Sequence, residues 1–167
     1  MTDLTGNGAP EMEARGSLAV VAKFIKDLSF ESPNALQIMR QPGNQPPEFS
    51  LNLGVQANTV GQDTYEVTLM LRAEAKRDGL VAFIVELAYA GVLTITGIPQ
   101  DQLEPILFIE GPRQLFPFAS VIVAELTRDS GFAPLLLAPI DFADLYRRKL
   151  AERQAAGEAV PEGSLPN

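Results

Sequence analysis

The chain has 167 residues, 46% of them hydrophobic, with no Cys, no His and a formal net charge of −8. That length suits one domain with a single core. The missing Cys and His exclude disulfides, thiolate nucleophiles, Cys/His zinc sites, Ser-His-Asp triads and His general bases. The acidic balance is spread along the chain and leaves no basic patch of the kind that nucleic-acid binders use to displace counterions.

Residues 1–17 combine Gly and acidic residues without periodicity or an apolar run, and read as a flexible arm rather than a signal peptide. Residues 18–150 read as the folded domain and 151–167 as a flexible acidic tail. No run of roughly 18 apolar residues suggests a membrane span, so the expected location is the cytoplasm. The domain opens on period-two alternation. From Leu18 to Glu31 one face carries Leu18, Val20, Ala22, Phe24, Leu28 and Phe30. The other carries Lys23, Ile25, Asp27, Ser29 and Glu31. Ser32-Pro33-Asn34 stops this strand, and the loop RQPGNQPP follows.

A second strand sets Phe49, Leu51, Leu53 and Val55 against Glu48, Ser50 and Asn52, and Gly61-Gln62-Asp63 turns the chain. The third alternates most cleanly from Thr64 to Lys76. Asp78-Gly79 marks a tight hairpin. The fourth puts Val81, Phe83, Val85, Leu87, Tyr89, Leu93 and Ile95 on one face, against Ala82, Ile84, Glu86, Ala88 and Val92. Short turns predict an antiparallel meander. From about Gln102 to Asp129 the period becomes helical, with Leu115, Ala119, Ile122, Val123 and Leu126 on one stripe, the candidate oligomer interface. Pro105, Pro112 and Pro117 predict a kinked or late-starting helix. An apolar linker (132–140) leads to a last helix capped by Asp141. The predicted class is α+β: a four-stranded antiparallel sheet followed by two helices packed on one face.

Paired carboxylates, Asp141 with Asp144 and Glu104 with Glu110, suit helix ends better than acid–base work, and no Gly-rich loop matches a phosphate-binding pattern; Gly43 and Gly61 read as turns. No enzyme activity and no cofactor are expected. The informative features are surfaces. If the first and fourth strands turn their large apolar residues inward, Asp27, Glu31, Ile84 and Glu86 share the outer face as an acidic patch with an apolar centre. Separately, residues 132–140 with Phe108, Ile109, Leu115, Phe116 and Phe118 exceed what one layer over a four-stranded sheet needs, which points to a binding or self-association surface.

KDLSFESPNA (Lys26–Ala35), DTYEVTL around Tyr65-Glu66-Val67, AFIVELAYAGVLTITGI (Ala82–Ile98), LFPFA (Leu115–Ala119) and APIDF (Ala138–Phe142) resemble, in order, motifs of the bacterial SecB protein-export chaperones. The resemblance covers roughly residues 18–150. It implies a homotetramer, a dimer of dimers, that holds unfolded preproteins without ATP and hands them to the translocase motor SecA. It implies SecA docking through Asp27, Glu31, Ile84 and Glu86, and a client groove around Leu93, Leu136, Leu137, Phe142 and Tyr146. Many relatives carry an aromatic before the Pro-Glu that opens strand two. Here Gln45 precedes Pro46-Pro47-Glu48, so one groove subsite is expected to differ. Two other readings stay open: a SecB-like chaperone dedicated to a toxin–antitoxin pair, and an oligomeric small-molecule-binding domain.

Overall fold

Alternating apolar residues put four long strands into one antiparallel sheet in the computed structural model, which describes residues 16–40 and 46–157. They are β1 (Ser17–Glu31), β2 (Glu48–Gly61), β3 (Thr64–Arg77) and β4 (Leu80–Thr96). Their order across the sheet is β1-β4-β3-β2. Strands β2, β3 and β4 form the predicted meander. Asp78 and Gly79 both have positive φ, 50° and 78°, as the tight hairpin between β3 and β4 requires.

β1 departs from that meander. It lies at the far edge from β2 and pairs with β4. The connection explains this: between Glu31 and Glu48 the chain is too long for a hairpin, and it contains a short helix, α1 (Ala35–Arg40). At 6 residues, α1 is too short for a helical period to register in the sequence. The Ser32-Pro33-Asn34 stop is also an anchor. Ser32 Oγ donates to the Ala82 carbonyl (2.6 Å) and Asn34 Nδ2 to that of Val81 (3.0 Å), fixing the crossing chain to the start of β4. Gly43, Gln45, the first 15 residues of the arm and the last 10 of the tail lie outside the described residues.

One helix, α2 (Gln100–Asp129), runs for 30 residues. It starts earlier than the prolines suggested. A π-helical turn, Ile106–Glu110, separates its two α-helical parts, and there the Gly111 N–H reaches the Ile106 carbonyl. The wider turn lies just before Pro112, which has no N–H to donate, and the helix continues through it. By length and composition α2 could cross a membrane, but its Leu103, Leu107, Leu115, Ala119 and Val123 stripe is buried in the core. Gly91 makes close packing possible: a Cβ there would sit 2.7 Å from Leu115 Cδ2.

After Gly131 the chain runs extended to Asp141, with Leu135, Leu137 and Ile140 half-buried and Leu136 exposed. Buried Thr127 ties this strap down: its Oγ1 donates to the Val123 carbonyl and accepts from Leu135 N (both 2.9 Å). The last helix, α3 (Phe142–Ala155), opens with the predicted cap, Asp141 Oδ1 accepting from Ala143 N and Asp144 N at 3.0 Å. Helices therefore cover one face of the sheet and leave the other open.

Candidate functional site

Residues paired directly across antiparallel strands point to the same face, so the register fixes the open face row by row. Glu31 pairs with Ile84, which pairs with Glu74. The next row is Ser29, Glu86 and Arg72; the next is Asp27, Ala88 and Met70. Asp27, Glu31, Ile84 and Glu86 thus share the outer face and occupy neighbouring rows, as strand alternation predicted.

The rest of β1 does not follow simple alternation. The register shifts between Val20 and Ala22 and again between Ile25 and Asp27. Each shift inserts one unpaired residue, which exchanges the two faces. Ala22 and Phe24, expected inward, pair with Val92 and Ala90 on the outer face. Lys23 and Ile25, expected outward, pair with Gly91 and Tyr89 on the helix side. Lys23 Nζ there lies 3.3 Å from the centroid of the Phe118 ring on α2, and that ring stacks on Tyr89. The second shift restores the original phase, which is why Asp27 and Glu31 still face outward.

Charges on the outer face are largely matched. Arg72 donates from Nη1 to Glu86 Oε1 (2.5 Å) and from Nη2 to Glu74 Oε2 (3.2 Å). Lys76 Nζ lies 3.0 Å from Glu74 Oε1, and Lys26 pairs with Glu66. The Lys76 hydrogen bond, aided by the Lys76 and Arg72 charges, holds the Glu74 carboxyl below its ordinary range. Among the described residues Asp27 and Glu31 have no salt-bridge partner.

On the helix side the core opens at one end. Phe30, Phe49, Phe83 and Phe132 form an aromatic cluster, with Phe83 at its centre: 5.7 Å from Phe30, 6.5 Å from Phe49 and 5.1 Å from Phe132 between centroids. Phe83 is buried, whereas Phe49 is 55% exposed. Met39 of α1 reaches the strap: a Cβ at Gly131 would meet its Cε at 2.8 Å. Leu36, Met39 and Leu51 are exposed beside this end, and Leu136 is 80% exposed. Five segments of the chain build this surface, so alternation within any one of them does not reveal it.

The residues that resemblance marked for a groove divide. Leu136 is exposed and Leu137 and Tyr146 are half-buried, but Leu93 and Phe142 are core residues, 0% and 1% exposed, with no surface to offer a client. The α2 stripe needs the same correction. Leu115, Ala119 and Val123 are fully buried against the chain's own sheet, with Ile122 and Leu126 half-buried beside them. The exposed large apolar residues of α2 are Phe118 and Val121 instead. The core side of an amphipathic helix is the stripe that periodicity detects most readily, and it was satisfied internally.

A cleft of about 230 Å³ lies between β2 and α3, lined by Leu53, Val55, Phe108, Tyr146, Arg148 and Lys149 among others. Tyr146 stacks on Phe108 at 6.0 Å. Burial, then the nearby Glu104 carboxylate, pushes the Tyr146 phenol above its ordinary range. The carboxylate pairs have structural work: Asp141 caps α3, Asp144 meets Arg147 and Arg148, Glu104 meets Arg153, and Glu110 meets Arg113.

Comparison with known proteins gives a consistent result. Residues 11–153 match the family model of SecB, preprotein translocase subunit SecB. The chain is 48% identical over 157 residues to a protein-export protein SecB of Maricaulis maris, covering 93% of this chain and 91% of that one. It is 49% identical over 152 residues to that of Mesorhizobium japonicum, covering 91% and 90%. Among solved structures, a SecB-like chaperone of Mycobacterium tuberculosis, in complex with an antitoxin peptide, aligns with a TM-score of 0.63 at 12% identity over 74% of this chain and 90% of that one. That last likeness concerns the fold.

Proposed function

The chain belongs to the SecB family, and from that premise we propose that it is a cytoplasmic protein-export chaperone that holds unfolded preproteins without ATP and passes them to the motor SecA. The observation that carries the reading is the family match over nearly the whole folded domain, joined to an apolar surface that the chain's own core leaves uncovered. Unfolded segments would bury apolar side chains against the open aromatic end, at Phe49, Met39, Leu36, Leu51 and Leu136. Such burial contributes roughly 25 cal/mol per Å² before ordering costs. An extended client could also pair with a free sheet edge.

The proposed assembly is a homotetramer, a dimer of dimers. The exposed Phe118 and Val121 of α2 and the open edge of β1 support self-association. Several shallow sites on one assembly then raise apparent affinity through effective concentration. SecA would dock on the outer face through Asp27, Glu31, Ile84 and Glu86, on the side of the sheet away from the clients.

Relatives at 46–49% identity are export proteins by name, which favours export over a dedicated toxin–antitoxin role. The cleft beside α3 is smaller than the roughly 300–1,000 Å³ usual for a small-molecule site. The test is aggregation of a denatured secretory protein, followed by light scattering with and without ATP. Suppression independent of ATP is expected. A tetrameric protein that leaves aggregation unchanged would rule out the holding activity.

A further inference from the structure

The outer face presents two kinds of carboxylate. Asp27 and Glu31, on β1, have no salt-bridge partner among the described residues. Glu86 on β4 and Glu74 on β3 share one guanidinium, that of Arg72, with Lys76 also on Glu74. The register gives the arrangement a direction. Ile84 has Glu31 as its neighbour on β1 and Glu74 as its neighbour on β3, and Glu86 lies one row along, between Ser29 and Arg72. A cation arriving beside Ile84 therefore meets a free carboxylate on one side and an occupied one on the other.

We propose that Arg72 is an internal competitor for the cationic partner of this face, holding Glu86 and Glu74 until a partner cation displaces it. This inference rests on the outer face being the SecA docking surface. The exchange is chemically undemanding. Arg72 and Glu86 side chains are 41% and 51% exposed, and ion pairs at such exposure are worth little. The displaced guanidinium remains ionised and returns to water. Docking thus trades one weak surface pair for another, and Arg72 sets how much of the acidic face an incoming partner finds free. Glu74 joins the docking set in the same way, as the carboxylate flanking Ile84 opposite Glu31.

The experiment measures SecA binding to the full chain by titration calorimetry at low and physiological salt. R72A is expected to tighten binding about two- to fivefold, the range of an exposed ion pair, with R72Q behaving alike. In an E74Q/E86Q background R72A should change nothing. R113A, which removes a cation on α2 away from the outer face, should leave affinity unchanged and so controls for net charge. If R72A weakens binding or leaves it unaltered, or tightens it equally in the E74Q/E86Q background, the exchange is wrong. A separate D27K/E31K variant tests the underlying reading: if it binds SecA as wild type does, the docking surface lies elsewhere and the role of Arg72 falls with it.

Discussion

The two sides of this sheet are built on different rules. The outer face is a lattice: charged residues sit among small and apolar ones, and neighbours are fixed by register, as in the rows Glu31–Ile84–Glu74 and Ser29–Glu86–Arg72. The open aromatic end on the helix side is a junction. Phe30, Phe49, Phe83 and Phe132 come from β1, β2, β4 and the strap after α2, and α1 adds Met39. A lattice is local and tolerant of single changes. A junction depends on every segment arriving. The two surfaces should therefore respond differently to mutation, although β4 contributes to both, Phe83 inward and Ile84 outward.

The largest effect should come from the residue that couples them. Phe83 is 3% exposed at the centre of the aromatic cluster. F83A is expected to cost about 3–5 kcal/mol of stability, the range for a truncated core phenylalanine. A lower urea midpoint, with client holding and SecA binding lost together near that midpoint, is the expected result. Loss of holding at unchanged stability would mean that Phe83 is a contact residue and not a shared support.

Next in size are changes that separate the two sides. M39S/F49S removes two side chains that are 53% and 55% exposed, so stability should fall by much less than in F83A, whereas client holding should fall about tenfold through lost burial. SecA affinity should stay within about twofold. D27K/E31K should do the reverse: SecA binding falls about tenfold at low salt and less at ~0.15 M, since exposed charges are screened over a Debye length of about 8 Å. Aggregation assays and binding titrations on the same preparations check both. If either variant damages both functions equally, the two surfaces are not independent.

How much of this could be read from the chain follows the same division. Strand alternation is a local signal, so the sheet and the sharing of one face by Asp27, Glu31, Ile84 and Glu86 were legible. The two register shifts in β1 were not, because an inserted residue leaves the composition of a strand unchanged and only reverses its phase; Lys23, Ile25, Ala22 and Phe24 were misassigned for that reason. The order β1-β4-β3-β2 depended on a connection whose helix is too short to show a period. Leu93 and Phe142, expected at a surface, lie in the core, because exposed and buried large apolar residues look alike in sequence. Phe49 and Met39 could have been suspected only as apolar residues at the border of a Pro- and Gly-rich loop.

The smallest effect concerns a single carboxylate on the helix side. Backbone hydrogen bonds from Asp144 and Ala143 hold the Asp141 carboxyl below its ordinary range. A group whose folded pKa is depressed contributes stability above its unfolded value, near pH 4, and loses it as pH falls through the folded value. Acid should therefore loosen the first turn of α3 before it disturbs the core. Glu74 on the outer face is also held low, chiefly by Lys76, so acidification alone weakens both sides and cannot tell them apart. Mutation can. D141A should lower the melting temperature by about 2–4 °C at pH 7, as expected for a lost N-cap, and speed hydrogen exchange in the first turn of α3. D141N keeps an acceptor that does not titrate, so it should retain most of the cap at pH 7 and remove the acid sensitivity of that turn while leaving that of the outer face. If protection of these amides, measured against their intrinsic exchange rate, still falls in the Asn variant between pH 5 and pH 3 as in wild type, another group governs the start of α3, and the helix side owes its acid response to something other than its cap.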